Sequence, residues 1–375
     1  MDSEVTWSVV IYVTGEIATA ENVRQGKPTC NISRIEMSRT PSFVFAFVCL
    51  VATTLSHRAH AQWYADVDSG AMFINAPDFR FFARRGETSP YERIESITTD
   101  DGEDFAAFVG GKAGWIFDGS LLGTGNMRLE FSGFYAGFDD DTAVTFSDPG
   151  PGVRYGFVAL DNTSGFGTVD PASDYSVMHT TTSREIDFGG YDLLLHQDFR
   201  LDENHMWTLY GGPSLQHLYQ GFMTTISYPM DASHSGATLN ESLDTDYVGG
   251  KVGISGRRKL NSRWSLFLDG NTGIYHARTR YDGRFVHARS TPPHDDRIGL
   301  TRHDNAVSTQ ARLELTRQMN DSVFVSLTSN VQHLDYAGQM DYGTRVDTVP
   351  DGSTLSIDSD ELLSTTLGLR LTIFR

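Results

Sequence analysis

The sequence predicts an all-β fold: a transmembrane, antiparallel, up-and-down β-barrel of about ten strands, with eight to twelve admissible, after a cleaved signal peptide. Three observations carry that expectation. From Gln62 onward apolar residues recur with period two, and no amphipathic helix of about 12 residues or more can be drawn. The connections between these segments alternate between short and long, as in a barrel with tight turns at one rim and loops at the other. Where the segments are clearest, the apolar face is flanked by aromatics and the opposite face is polar, which suits lipid outside and water inside.

The N-terminal part reads as processing sequence. Arg39 precedes the apolar run from Phe43 to Leu55, and Ala59-His60-Ala61 offers a small-x-small cleavage site before Gln62. Residues 37–61 are therefore the expected signal peptide, with Met37 as the true start and 1–36 a mis-assigned start or an extension. Neither this run nor any other reaches the ~18 apolar residues of a spanning helix. Cys30 and Cys49 are the two cysteines of the chain, and both precede the cleavage site, so a mature chain over 62–375 needs no disulfide and has no thiolate metal ligand. The formal charge is −18. Acidic residues (Asp2, Glu4, Glu16, Glu21, Glu36) and basic ones (Arg24, Lys27, Arg34, Arg39, Arg58) balance before Gln62, so that charge belongs to the barrel and argues against nucleic acid as a partner.

Strands are expected at 62–76, 103–118, 125–138, 183–201, 205–228, 243–259, 263–286, 304–317, 321–340 and 359–374. The last is the clearest: Leu363, Thr365, Leu367, Leu369, Leu371 and Ile373 share one face, and Ser364, Thr366, Gly368, Arg370 and Thr372 the other. In the fifth, Trp207, Leu209, Leu215 and Tyr219 oppose Thr208, Tyr210, Ser214, Gln216 and Gln220. Short turns fall at Gly119–Thr124, Asp202–Asn204, Leu260–Ser262 and Gln318–Asn320; long loops fall at 77–102, 139–182, 229–242, 287–303 and 341–358. The segment Val153–Leu160 could form a hairpin above the membrane or add two strands to the barrel. The phrase Val109-Gly110-Gly111-Lys112-Ala113-Gly114 returns as Val248-Gly249-Gly250-Lys251-Val252-Gly253, which marks duplicated hairpins. The glycines let a wall bend or a large side chain lie over the backbone.

The signal peptide, the cysteine-free remainder and these Gly-Gly-x-x-Gly strands together resemble Gram-negative-type outer-membrane barrels. Trp63-Tyr64-Ala65-Asp66-Val67, and Gly253-Ile254-Ser255-Gly256-Arg257-Arg258-Lys259-Leu260 leading to Trp264-Ser265-Leu266, are similar to the porin-like family of the Legionella major outer-membrane protein and its planctomycete relatives. The resemblance implies an outer-membrane pore or surface structural protein, with outer-membrane lipids and the barrel-assembly machinery as partners, and it carries no catalytic residue across. One departure is the C-terminus. Such barrels usually end on an aromatic in phase with the apolar face, whereas Phe374 is penultimate and out of phase, and Arg375 is last.

The predicted lumen carries Lys112, Arg128, Glu130, Asp192, His196, Asp198, Arg200, Lys251, Asp269, Arg312, Glu314 and Arg370. Two readings stay open: a selectivity lining for small cations or solutes, or charges paired with one another as filling, since ten strands at 40° tilt enclose a backbone radius of only roughly 10 Å. The acidic clusters Asp100-Asp101-Gly102-Glu103-Asp104, Asp139-Asp140-Asp141 and Asp295-Asp296 read as solvated loop charge; none follows a calcium-loop pattern, and no metal or cofactor is expected. A hydrolase would need opposed acid-base groups. His294, Asp295, Asp296, His303 and Asp304 gather in one expected loop without the Asp-x-His spacing of omptin-type proteases, so no enzyme is expected. A surface receptor or adhesin-like barrel is the main alternative to a narrow pore or structural barrel.

Overall fold

The computed structural model describes residues 62–75, 80–85, 94–98, 104–117, 125–147, 154–161, 166–169, 177–228, 235–287, 294–341 and 355–374. The readings of 1–36 and of the signal peptide lie outside the described residues, as do the turn at Gly119–Thr124 and the acidic run up to Glu103. Among the described residues fourteen strands run in chain order: β1 (Gln62–Asn75), β2 (Arg80–Arg85), β3 (Ile94–Thr98), β4 (Asp104–Phe117), β5 (Met127–Ser147), β6 (Arg154–Asp161), β7 (Phe166–Val169), β8 (Val177–Arg200), β9 (His205–Tyr228), β10 (Ser235–Lys259), β11 (Trp264–His287), β12 (His294–Gln318), β13 (Val323–Asp341) and β14 (Ser356–Phe374).

Ten of them close a ring in the order β1-β14-β13-β12-β11-β10-β9-β8-β5-β4. Every neighbouring pair is antiparallel, and closure runs from Tyr64 opposite Phe374 to Asn75 opposite Leu363. The remaining four form a separate sheet, β3-β2-β6-β7. The segment around Val153–Leu160 is thus a strand, but it pairs with β2 and β7 and adds nothing to the barrel. β5 and β8 pair directly, from Met127 opposite Gln197 to Ser147 opposite Val177, and leave no gap for it.

The lower part of the wall follows the expected alternation. Leu369, Leu327, Leu268, Val248 and Ile274 point outward and are 56–67% exposed, while the sequence neighbours Arg370, Thr328 and Asp269 of the first three, like Thr366, face inward onto a cavity. This apolar band covers about ten residues of each strand, which at ~3.3 Å per residue and 40° tilt spans roughly 25 Å, the height of a bilayer core. Trp63 and Trp115 pair across β1 and β4 at its lower edge. Trp207 lies opposite Phe199, and Trp264 packs under the Arg317 guanidinium at the same level. Tyrosines 135, 191 and 219 mark the upper edge, giving the two aromatic girdles of a membrane barrel. A closed barrel with this band is an integral outer-membrane architecture, because no backbone edge is left to meet lipid.

Several strands are longer than expected. β5, β8, β10 and β12 continue above the band through Asp139–Asp141, Thr180–Thr182, Ala237–Ser242 and Asp295–His303, all expected to lie in loops. Above the band the outer face becomes polar, which ends the apolar-out signal, but the ladder persists because the inner face is now apolar. On β10, Leu239, Leu243 and Tyr247 are buried inside, while Asp244 and Asp246 face out.

Three of the lower turns share one device. Asp202, Asn261 and Asn320, 59 residues apart twice, each accept two backbone N–H groups through one side-chain oxygen. Asp202 takes those of Asn204 (2.7 Å) and His205 (2.9 Å). Asn261 takes Arg263 and Trp264 (2.9 and 3.0 Å), and Asn320 takes Ser322 and Val323 (both 2.9 Å). These are Asx turns, in which a short side chain stands in for a backbone acceptor. The sequence repeat is therefore a repeat of hairpins.

Arginine at Leu369, near the middle of the band, is expected to destabilise the folded protein by about 2–4 kcal/mol, whereas lysine at Thr366, on the inner face of the same strand, costs less; urea titration in lipid vesicles separates the two. The Asn204 amide, reinforced by the His205 imidazole, holds the Asp202 carboxyl below its ordinary range. A depressed carboxyl contributes at neutral pH and loses that contribution as pH falls through its folded value. Hydrogen exchange of the Asn204 and His205 amides should accelerate below pH about 4, in excess of any change at the amides capped by Asn261 and Asn320, and Asp202→Asn should remove the difference while keeping the turn.

Candidate functional site

The lumen has two storeys. The lower is a polar cavity of about 410 Å³, reaching from Asn126, Arg257, Phe324 and Phe374 at the turn end up to Met72, Phe108, Phe134 and Gln332. We call it the cup. The upper is an apolar layer built of Met72, Ile74, Ile186, Phe188, Leu218, Tyr247, Tyr275, Leu334, Tyr336 and Leu362, all between 0 and 3% exposed.

Lys112, Arg128, Glu130, Asp192, Asp198, Lys251, Asp269, Arg312, Glu314 and Arg370 all line the cup, as does His196. Arg200 stands apart: two residues below Asp198, it is exposed at the rim and is not among the lining residues. The wall adds Asp66 and Asp68 from β1, which the sequence reading left without a role although Tyr64-Ala65-Asp66-Val67-Asp68 alternates plainly. Phe374 also faces inward, against Tyr64 and Phe324 at the floor.

These charges neutralise one another. Lys112 bridges Asp66 (3.2 Å) and Glu130 (3.4 Å), and Arg128 pairs with Asp198 (3.2 Å), to which Thr208 also donates (2.7 Å). Lys251 pairs with Asp192 (2.8 Å). Arg370, 4% exposed, holds Asp68 and Glu314 (2.7 Å to the latter), and Glu314 also takes Arg312 (2.9 Å), Thr316 and Ser326. Ion pairs withdrawn from water are tolerable when most of their oxygens and N–H groups are matched, and here one network spans strands that are far apart in sequence, with Asp66 Oδ1 and Arg128 Nε left over.

The repeated glycine phrase builds two matching pieces of this wall. Tyr64 of β1 lies over Gly114 of β4, and its hydroxyl donates to Glu130 of β5. Likewise Tyr210 of β9 lies over Gly253 of β10, and its hydroxyl donates to both oxygens of Asp269 on β11 (2.8 and 2.9 Å). A Cβ at either glycine would occupy the tyrosine ring's place. This is why glycine stands inside an otherwise regular strand.

The apolar layer was not anticipated. A kink in β13, where the register shifts between Leu334 and Ala337, accompanies hydrogen bonds made to this strand from across the lumen. Tyr247 donates to the Tyr336 carbonyl (2.9 Å) and Gln220 to that of Gly338 (2.8 Å). Just below, Gln332 donates to Gln216 (3.0 Å). Side chains of β9 and β10 thus reach across the bore to β13. The signal for this layer was present: in Arg184-Glu185-Ile186-Asp187-Phe188 the apolar residues occupy the inward positions, opposite to the phase lower in the same strand.

The residues considered for acid-base chemistry do not converge. Asp295 and Asp296, expected in a loop, are consecutive on strand β12 and so face opposite sides: Asp295 pairs outside with Arg284 (2.7 Å), and Asp296 is buried inside. His303 stacks on His276 on the outer wall, and Asp304 pairs with Arg302 (3.0 Å). A second outer cluster, His217 with Asp244 and Asp246, is bound by Arg280 at 3.1 and 3.0 Å.

No family model matches the sequence, and no curated protein matches it. Among solved structures the chain is similar in fold to the outer membrane protease OmpT from Escherichia coli (10% identity, 86% of this chain and 99% of that one, TM-score 0.44). It is also similar to the translocator domain of the autotransporter NalP from Neisseria meningitidis (11% identity, 89% and 95%, TM-score 0.27) and to the Pseudomonas putida toluene transporter TodX (8% identity, 84% and 90%, TM-score 0.20). No residue role is taken from these likenesses.

Replacing Arg370 with methionine strands Asp68 without its cation and leaves Glu314 to Arg312 alone. Loss of one partner from a buried ionic network is expected to destabilise by about 3–5 kcal/mol, read as a lowered urea midpoint with the folded band still formed on an unheated gel.

Proposed function

We propose that this protein is a sealed outer-membrane barrel, a structural surface protein whose strands rise above the membrane as an acidic rim, rather than an open porin. The observation that carries this reading is the apolar layer across the bore. Its side chains are at most 3% exposed, and hydrogen bonds from β9 and β10 reach the backbone of β13 through the space a solute would need. Burial of each large apolar side chain is worth about 1.5–3 kcal/mol, so thermal motion alone does not hold such a layer open.

The porin-like reading survives in a narrower form. The cup below the layer is lined by charged and polar side chains down to Asn126 and Arg257 at the turn end, and the rim carries outward acidic residues that would concentrate small cations at the surface. A non-enzymatic role is part of the proposal, supported by the separation of Asp295, Asp296, His303 and Asp304 onto different faces. The likeness to the Legionella-type family adds only its quoted phrases, in which Gly253 and Trp264 have structural uses of their own. Lipids of the outer membrane are the partner of the apolar band, and the barrel-assembly machinery is the partner that would insert it.

Planar-bilayer recording tests the seal. Well-folded protein should give no steady conductance, and the double variant Tyr247→Ala/Tyr275→Ala should give openings that favour cations under a salt gradient. Large steady currents from the unaltered protein would defeat the proposal.

A further inference from the structure

The two copies of the glycine phrase differ in one respect. In the first, Lys112 stands two residues before Gly114 and places its ammonium 3.4 Å from Glu130, the carboxylate that Tyr64 also binds. In the second, Lys251 stands two residues before Gly253, but its ammonium goes to Asp192 at 2.8 Å. Asp269, the tyrosine-bound carboxylate of this copy, has hydrogen bonds only from Tyr210 and from Asn271 (3.3 Å), and none of the ion pairs within 4 Å among the described residues involves it. Arg312, directly opposite on β12, turns to Glu314 and lies over the Phe267 ring.

Unmatched polar atoms surround the same spot. Asn271, 9% exposed, leaves its Oδ1 without a hydrogen-bond partner, and His196, 7% exposed and stacked on Tyr210 at 4.9 Å, hydrogen-bonds through neither ring nitrogen, its Nε2 lying 3.8 Å from Glu130. All these residues line the cup, which has room for a small guest. We propose that the cup binds a primary ammonium group at Asp269, in the position that Lys112 fills for Glu130 in the first copy. The oxygens facing the gap are acceptors, which an –NH₃⁺ with three donors satisfies. A hard divalent ion would draw on several carboxylates, whereas Asp269 is a single one, with Arg312 directly opposite it committed to Glu314. The guest enters from the periplasmic end, below the seal, so the proposal is independent of whether the bore conducts.

The test uses the full mature chain refolded in detergent and titrated calorimetrically with n-butylammonium, with 1-butanol as the neutral match and a lysine-ended tripeptide as the second amine. Saturable binding of butylammonium but not butanol is expected, weakened at least about tenfold in Asp269→Asn. A second variant, Ser255→Lys, supplies an ammonium from the residue opposite Asp269 in register and should abolish binding. Tighter binding of the tripeptide would assign the ammonium to a peptide lysine, and preference for butylammonium to a free amine. Equal binding by both variants, confirmed as folded by their unheated gel bands, would overturn the proposal, as would the absence of saturable binding to the folded unaltered protein.

Discussion

Everything in this structure depends on one constraint: each strand has two faces, and the medium against its outer face changes from lipid to water part of the way up. Below that point an outward leucine meets hydrocarbon and an inward arginine meets a wet lumen. Above it the same outward position meets water, and the inward position is where an apolar side chain can escape it. The alternation therefore reverses phase within single strands. On β11, Leu268 and Ile274 point out while Asp269 and Asn271 point in; a few residues higher, His276, Arg278 and Arg280 point out while Tyr275, Ala277 and Tyr281 are buried inside. β8, β9, β10 and β12 reverse in the same way.

The two interiors need different kinds of cohesion. At membrane depth there is no water outside to drive side chains inward, so the lower lumen is held by matched charges and hydrogen bonds, which gain strength where the dielectric is low. That solution demands that nearly every group be paired, and the paired tyrosine-over-glycine elements serve it by carrying a hydroxyl across one strand to a carboxylate on the next. The three Asx turns fix where each hairpin reverses and hence which residues meet in the lumen. A slip of one residue would exchange the ionic face for the lipid face along a whole strand.

Much of the fold was legible in the sequence because lipid enforces a regular pattern. The ten barrel strands, the turns at Asp202, Leu260 and Gln318, and the inward set from Lys112 to Arg370 follow from period-two alternation alone. What the pattern hid was the reversal of phase. A reading that looks for apolar residues outside stops at Phe138 and at Leu243, and assigns the rest to loops, although the ladder runs on to Ser147 and back to Ser235. Asp295 and Asp296 suffered the same way: as loop residues they could converge, but as consecutive strand residues they cannot. Arg200 has the inward phase yet sits below the last lining residue, where phase no longer implies enclosure. The unmatched state of Asp269 depends on which neighbour Lys251 and Arg312 choose, and no spacing rule encodes that choice.

The reversal also explains why the lumen is closed where it is. An apolar layer deep within the band would gain little, since the lipid outside is as apolar as the layer itself and no water is displaced from the outer face. At the upper edge, water bathes the outer wall, and inward burial of Tyr247, Tyr275, Leu218 and Leu334 recovers the hydrophobic free energy that a soluble core would. The kink in β13 brings its backbone within reach of Gln220 and Tyr247, so its carbonyls are satisfied from across the bore as the apolar groups close around them. The upper barrel is in this sense a soluble β-structure with its own core, standing on a membrane-embedded ionic cup. The junction between them is the level at which the chain stops being solvated by lipid.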